Sequence, residues 1–390
     1  MTIRELIDNQ KDGWSLDQRF YTDPEIYQLE LEHIITQNWI FVGHESQIPN
    51  EGDFRVISVA NESAIVVRTK DGTIKAYANV CRHRGSLVCL EDQGTTRRFS
   101  CPYHGWVYNL DGELTAARNM PDDFDKSDFS LFELSIDILY GLVFVCFSDD
   151  PPSWKGAKKD LEVPMKMFDF ENLKVAAEKT YEIEANWKLS IENYQECYHC
   201  ATAHPEYAKM HTLMLDDSKR DRVQSHMLER MEECGIENIE IDYIDTKARD
   251  GEQGYGYSRT ALFKGRKTGS KNGEPVAPLL GKFSDYDGGA SDFCLGPFTF
   301  MLAYSDHVVV YVFSPIDHNN SECRIYWLVR SDAEEGKDYD TEKLVWLWDH
   351  TTHEDKTIIV NNRKGVESSI TNQVHFLVWK MLKASIYSGY

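Results

Sequence analysis

Cys81-Arg82-His83-Arg84-Gly85 and Cys101-Pro102-Tyr103-His104-Gly105-Trp106 decide how this chain is read. They contain two mixed pairs, Cys-x-His and Cys-x-x-His, separated by residues 84–100. Two thiolates can hold one iron of a [2Fe–2S] cluster while two neutral imidazoles hold the other. Replacing anionic sulfur by imidazole raises the potential above that of an all-cysteine site. Gly85 and Gly105 allow a tight turn in each loop, and Pro102 stiffens the second. Tetrahedral zinc also accepts two Cys and two His, but zinc knuckles usually group cysteines with cysteines and histidines with histidines.

Composition narrows the function class. The 390 residues carry 64 acidic and 42 basic side chains, a net charge of −22. That balance argues against a nucleic-acid partner, which requires a basic face. No apolar run of about 20 residues is present, so no membrane span is expected. The opening Met1-Thr2-Ile3-Arg4-Glu5-Leu6 lacks a secretory pattern, which leads to an expected cytoplasmic location. Beyond Cys81 and Cys101, the remaining cysteines (Cys89, Cys146, Cys197, Cys200, Cys234, Cys294 and Cys323) are expected to be buried or reduced thiols rather than a disulfide framework.

Asp23 followed by Pro24 predicts the start of a helix running to about Ile35. Short β-rich runs follow, at Asp53 to Val59, Ala64 to Arg68 and Leu142 to Cys146, divided by turns such as Lys70-Asp71-Gly72. In a remainder that mixes strands and helices, Lys174 to Ile183 leads into Asn186-Trp187-Lys188, strands are expected at Val308 to Phe313 and Cys323 to Val329, and a helix is expected over about 341–362. Residues 265–290, rich in Gly, Ser and Lys, read as a loop, and sequence leaves open whether it forms a lid. Antiparallel sheet against a few helices makes an α+β arrangement.

A second constellation is Glu192-Asn193-Tyr194-Gln195-Glu196-Cys197-Tyr198-His199-Cys200-Ala201-Thr202-Ala203-His204-Pro205. On a helix, Glu196 and His199 would share a face. His199 and His204 stand about 140° apart on an ideal helix, so both reach one metal only if the helix breaks, and Pro205 is consistent with an ending there. Two histidines and one carboxylate form the facial triad of non-haem Fe(II) oxygenases, which leaves positions open for O₂ and substrate. The expected carboxylate is Asp355, with Glu354, Asp349 and His350 as nearby competitors.

Together with Asn186-Trp187-Lys188 ahead of the Glu196-x2-His199-x4-His204 segment, these features resemble the catalytic α subunit of the Rieske non-haem iron oxygenases over nearly the whole chain. The resemblance implies a small all-β Rieske [2Fe–2S] domain at 40–150 and a helix-grip catalytic domain with mononuclear Fe(II) at 151–390. Residues 1–39 would be a helical segment packing on the latter. It implies cluster ligation by Cys81, His83, Cys101 and His104, and iron ligation by His199, His204 and Asp355. It also implies a homotrimer in which Glu196 bridges to a cluster histidine, expected to be His104, of a neighbouring subunit. Many family members carry Asp at that position. A separate NAD(P)H-dependent reductase would supply electrons, since no nucleotide-binding fingerprint is evident here.

The segment from Glu192 to Tyr207 looks most like the glycine betaine monooxygenase branch, which implies N-demethylation of a quaternary ammonium compound with release of formaldehyde. Aromatic faces would hold such a cation, and Tyr194, Phe298, Phe300, Tyr304, Tyr311 and Phe313 are candidate walls. Two other readings are an aromatic ring-hydroxylating dioxygenase and an electron-transfer Rieske protein with an inert second domain.

Overall fold

The computed structural model describes residues 2–11, 13–212, 215–236 and 251–373. The last part of the expected 151–390 domain, residues 374–390, lies outside them. Contacts divide the chain into two compact units. One is continuous from Thr36 to Pro151, and the other combines the residues up to Ile35 with those from Pro152 onward.

The continuous unit is built of β1 (Ile40–His44), β2 (Asp53–Val59), β3 (Glu62–Arg68), β4 (Ile74–Ala78), β5 (Gln93–Thr95), β6 (Phe99–Ser100), β7 (Val107–Tyr108), β8 (Leu114–Ala116), β9 (Glu133–Leu139) and β10 (Leu142–Cys146). Its larger sheet runs β1-β10-β9-β4-β3-β2-β5, and β6-β7-β8 form a second. The core gathers Phe54, Ile65, Val67, Tyr77, Phe99 and Trp106 around Cys81 and Cys101. Cys81 lies on the β4–β5 connection and Cys101 in the short loop after β6, so both thiols are carried into apolar packing.

The discontinuous unit has β11 (Leu173–Ile183), β12 (Tyr255–Ala261), β13 (Gly289–Leu295), β14 (Thr299–Ala303), β15 (Val308–Pro315) and β16 (Ser321–Arg330), ordered β11-β16-β15-β14-β13-β12. All its ladders are antiparallel. The 26-residue helix Thr341–Val366 lies against this sheet: the Tyr311 hydroxyl on β15 is 3.1 Å from Thr352 Oγ1. The α+β fold expected from sequence is the one observed. β12, β13 and β14 were not anticipated. β14 is buried at every position and β13 at all but one, and such strands show no polar alternation to read.

Asp23 caps its helix by accepting from Glu25 N at 3.0 Å, with Pro24 in the first turn. The α-helix stops at Glu30, and Leu31–Ile35 continue as a wider π-turn. Glu30 is the anchor of this segment. Its carboxylate accepts from Lys188 Nζ at 2.7 Å and from Trp187 Nε1 at 2.9 Å, with Glu30 and Lys188 side chains fully buried. Burial pulls the Lys188 amine down and Glu30 pulls it back. Asn186 caps the following helix, Trp187–Tyr194, by accepting from Lys188 N at 3.1 Å. The Asn-Trp-Lys motif therefore starts a helix and ties the N-terminal segment to it. One turn on, Glu192 accepts from the Tyr21 hydroxyl at 2.9 Å. Burial pushes that carboxyl up to about 7, against the pull of Tyr21 and Lys188.

The loop 265–290 is tied to its surroundings. Thr268 Oγ1 donates to Asp306 in the β14–β15 turn at 2.5 Å, Phe283 packs tilted against Phe168 with ring centroids 5.2 Å apart, and Asp287 holds Arg259 of β12.

Candidate metal centres

The two cluster loops repeat one piece of backbone geometry. Cys81 N donates to Ser86 O at 2.8 Å and Gly85 N to Cys81 O at 2.9 Å. Cys101 N donates to Trp106 O at 2.8 Å and Gly105 N to Cys101 O at 3.0 Å. Each turn closes through a glycine with positive φ, +73° at Gly85 and +69° at Gly105. A Cβ on either would meet nothing within 4 Å, so backbone conformation rather than space requires glycine there. The repeated turn buries its cysteine and leaves its histidine nearer solvent, with Cys81 and Cys101 each only 3% exposed.

The rings of His83 and His104 lie edge to face, centroids 4.6 Å apart, and Trp106 stacks on His83 at 4.8 Å. Tyr108 sits behind the sulfurs, its hydroxyl 3.4 Å from Cys81 Sγ. His83 Nδ1 is buried with no hydrogen-bond partner among the described residues. A buried imidazole nitrogen left unpaired is costly, and an iron ligated there would satisfy it. Two buried thiols facing two close imidazoles fit a [2Fe–2S] cluster held by mixed ligands.

The second centre assembles around a broken helix. Trp187–Tyr194 ends before Glu196, so Glu196 and His199 do not share a helical face as expected. Glu196 instead folds its side chain forward: Oε2 accepts from Tyr198 N and His199 N, and Oε1 lies 2.5 Å from His199 Nδ1. A side chain that bonds nearby backbone N–H groups competes with helix continuation. A short helix, Cys200–Ala203, follows, and His204 breaks it with φ −125° and ψ 73°. Pro205 disfavours the helical conformation at His204 and starts the next helix, Pro205–Ala208.

These turns bring His199, His204 and Asp355 together, with one ligand atom of each within 4.8 Å of the others. His204 Nε2 is 2.9 Å from Asp355 Oδ1 and His199 Nε2 is 3.4 Å from it. Asn193 Nδ2 donates to the same oxygen at 2.7 Å. Burial pulls the His199 imidazole down, but Asp355 and Glu196 outweigh it and raise the pKa to about 9. Burial pushes the Asp355 carboxyl up, and its bonds to His199, His204 and Asn193 bring it below the usual range. Two imidazoles and a carboxylate with converging lone pairs are the donor set of a non-haem iron centre.

Of the competing carboxylates, Glu354 faces the other ring nitrogen, with Oε2 at 2.9 Å from His204 Nδ1. Asp349 accepts from the Tyr181 hydroxyl at 2.5 Å and pairs with Lys179, and His350 lies 3.4 Å from Glu354. Sequence reasoning missed Asn193 as a partner of the carboxylate; its place one turn before the histidine segment was the available signal.

Two of the cysteines expected to be reduced thiols are not. Cys197 and Cys200 form a disulfide, because the turn after Tyr194 brings their Cα atoms to 5.0 Å, within bonding range.

Beside the triad is a cavity of about 110 Å³, room for a small molecule rather than a polymer. Tyr194, Phe300 and Tyr311 line it, together with Phe293 and Trp348. Phe298, Tyr304 and Phe313 do not. Phe298 packs on Trp187, Tyr304 hydrogen-bonds to His211, and Phe313 sits behind Tyr194.

Residues 38–130 match the model of the Rieske [2Fe-2S] domain, and residues 170–380 match that of the ring hydroxylating alpha subunit (catalytic domain). The glycine betaine monooxygenase oxygenase subunit of Chromohalobacter salexigens is 33% identical, over 93% of this chain and 82% of that protein. The carnitine monooxygenase oxygenase subunit of Escherichia coli is 35% identical over 51% of this chain and 54% of its own length. Among solved structures, a quaternary ammonium Rieske monooxygenase aligns with TM-score 0.71 at 23% identity, covering 96% of this chain and 92% of that one. Naphthalene 1,2-dioxygenase from Rhodococcus sp. aligns with TM-score 0.66 at 21% identity, covering 93% and 86%. The catalytic-domain match spans more than half of the chain and the Chromohalobacter relative covers nearly all of it, so the chain belongs to the Rieske non-haem iron oxygenases, with a [2Fe–2S] domain and a catalytic domain that binds mononuclear iron.

Proposed function

We propose that this chain is the terminal oxygenase of a multicomponent system that oxidises an N-methyl group of a small methylated ammonium compound. The observation that carries this reading is the shared cavity: His199, His204 and Asp355 border the same space as the faces of Tyr194, Phe300, Tyr311 and Trp348. Aromatic faces attract a quaternary nitrogen through cation–π contact, which would leave its methyl groups beside the triad. The similarity to the glycine betaine and carnitine enzymes supports the same substrate class.

In this reading Cys81, His83, Cys101 and His104 hold the cluster, and His199, His204 and Asp355 hold the iron. When bound, the two centres supply stored electrons and O₂ activation. The chain's own residues orient and exclude. Asn193 fixes the Asp355 carboxylate, and Glu354 accepts a hydrogen bond from His204 Nδ1–H, which frees Nε2 for metal. Glu196 does the same for His199, as carboxylate partners of ligating histidines commonly do. In a homotrimer, Glu196 would also reach His104 of a neighbouring subunit. A separate NAD(P)H-dependent reductase delivers two electrons. One oxygen atom enters a methyl C–H and the other leaves as water with two protons. The resulting N-hydroxymethyl group collapses to formaldehyde, a proton and the demethylated amine.

The test is a single turnover of chemically reduced protein with O₂ and a panel of methylated amines, assaying formaldehyde. Near-stoichiometric formaldehyde from one of them is expected. Hydroxylation of an arene such as naphthalene, with no formaldehyde from any amine, would replace this reading by ring dioxygenation.

A further inference from the structure

Asp292 lies in the middle of β13, between Ser258 of β12 and Leu302 of β14. Two residues along, Cys294 sits between Gly256 and Phe300, and Phe300 pairs in turn with Tyr311. Residues two apart on a strand point to the same side, so these two rows make one face of the sheet, and that face lines the cavity beside the iron triad.

Asp292 is the anomaly of that face. Its side chain is half-buried and lines the cavity, and it has no side-chain hydrogen bond and no ion pair among the described residues. The guanidinium with which it interacts, that of Arg259, is committed elsewhere, to Asp287 at 3.1 Å and Ser291 Oγ at 2.7 Å. Burial pushes the Asp292 carboxyl up to about 7, with Arg259 only partly opposing it. Its charge also adds to burial in pushing up the phenols of Tyr194 and Tyr207, both of which border the cavity. A carboxylate on a cavity wall with no protein partner attracts a ligand of opposite charge. The described residues lining this cavity supply none of lysine or arginine; besides the triad they add a further acid, Glu196.

We propose that Asp292 is the counter-charge for the substrate's ammonium group, and that the cavity therefore selects a methylated cation lacking a carboxylate over a zwitterion. This rests on the N-methyl oxidation reading above and narrows it. Asp292 supplies the charge and Tyr194, Phe300 and Tyr311 the faces. A carboxylate on the ligand would meet Asp292 and Glu196 with no guanidinium or ammonium to receive it.

The test is calorimetric titration of the iron-loaded, oxidised protein under nitrogen with choline, glycine betaine and 3,3-dimethylbutan-1-ol, the uncharged isostere of choline. Choline is expected to bind at least tenfold more tightly than either of the others. Asp292→Asn should lower choline affinity at least tenfold, to the level of the isostere, with iron content and far-UV dichroism retained. Asp292→Glu, which keeps the charge, should recover part of the loss. Unchanged choline affinity in Asp292→Asn would overturn the proposal, as would tighter binding of glycine betaine by the wild-type chain. The latter, with formaldehyde formed from glycine betaine, would leave the N-demethylation reading standing. Binding of indole in place of every methylated ammonium compound would remove both.

Discussion

The two metal centres of this chain are built by opposite strategies. The cluster loops repeat one turn: a buried cysteine, a histidine two or three residues on, and a positive-φ glycine closing back on the cysteine carbonyl. Each loop is nearly complete in itself. The triad has no such local unit, since His204 meets Asp355 across a separation of 151 residues. Its histidines are aimed by a helix ending, a folded-back glutamate and a proline-directed break. The first site is specified by turn chemistry and the second by tertiary packing, which predicts different sensitivities.

The largest effects should come from the ligands and should separate the sites. Cys101→Ser is expected to abolish the visible cluster bands. Asp355→Ala should retain them while lowering iron from about three to about two atoms per chain, with turnover lost in both. Absorption spectra and iron analysis of the two proteins check this, and loss of both centres in Asp355→Ala would break the claimed independence.

Next comes the packing beneath the triad. Lys188→Met leaves the buried Glu30 carboxylate without its cation, which costs about 3–5 kcal/mol. Denaturant unfolding followed by far-UV dichroism should show it, and the cluster chromophore should respond less. Smaller again are the residues that aim the ligands: Asn193→Ala and Glu354→Gln should weaken Fe(II) binding by about 10- to 100-fold, measured by competition with a chelator. Equal loss of the cluster would contradict the assignment.

The fourth effect is a pH slope from the cavity wall. Folded Asp292 holds its proton up to about 7 against an ordinary 3.8. Between those values the folded state keeps a proton that the unfolded state has lost, so its contribution to stability falls as pH rises, by about 1.4 kcal/mol per unit at most. The groups bearing on it are Arg259, Tyr194 and Tyr207, with Glu196, Asp355 and the two histidines sharing the cavity. Asp292→Asn should therefore gain on the wild-type melting temperature from pH 5 to pH 7 and level off above. A constant gap would show that Asp292 does not titrate there. The smallest effect is Gly105→Ala, about 1 kcal/mol from backbone conformation alone, because an added Cβ meets open space.

The same contrast explains what could be read in advance. Cys81, His83, Cys101 and His104 were legible because ligand spacing and the glycines lie in one short stretch. β2 and β10 were legible from their β-branched and aromatic runs, with bounds that the structure reproduces. Asp355 follows from the chemistry a triad needs, and three polar neighbours on the same helix, Glu354, Asp349 and His350, compete for the place. What separates it from Glu354 is one step of helical rotation, which sequence does not display. Asp292 was invisible for a related reason. It is the lone acid in Gly289–Leu295, and only the register with Ser258 and Leu302 shows which face it shares. The Cys197–Cys200 bond depends on the helix stopping at Tyr194, which Glu196 brings about through its own side chain.

The interrupted catalytic unit also has a consequence in time. A ribosome completes the Thr36–Pro151 unit as one uninterrupted stretch, and both ligand loops emerge with it. Glu30 is made 158 residues before Lys188, its buried partner. At about 5–20 residues per second, this carboxylate waits roughly 8–30 seconds in solvent while another domain is translated. The first segment of the catalytic unit is thus an early-made clasp, and closing it marks the point at which the nascent chain can begin to assemble its second metal site.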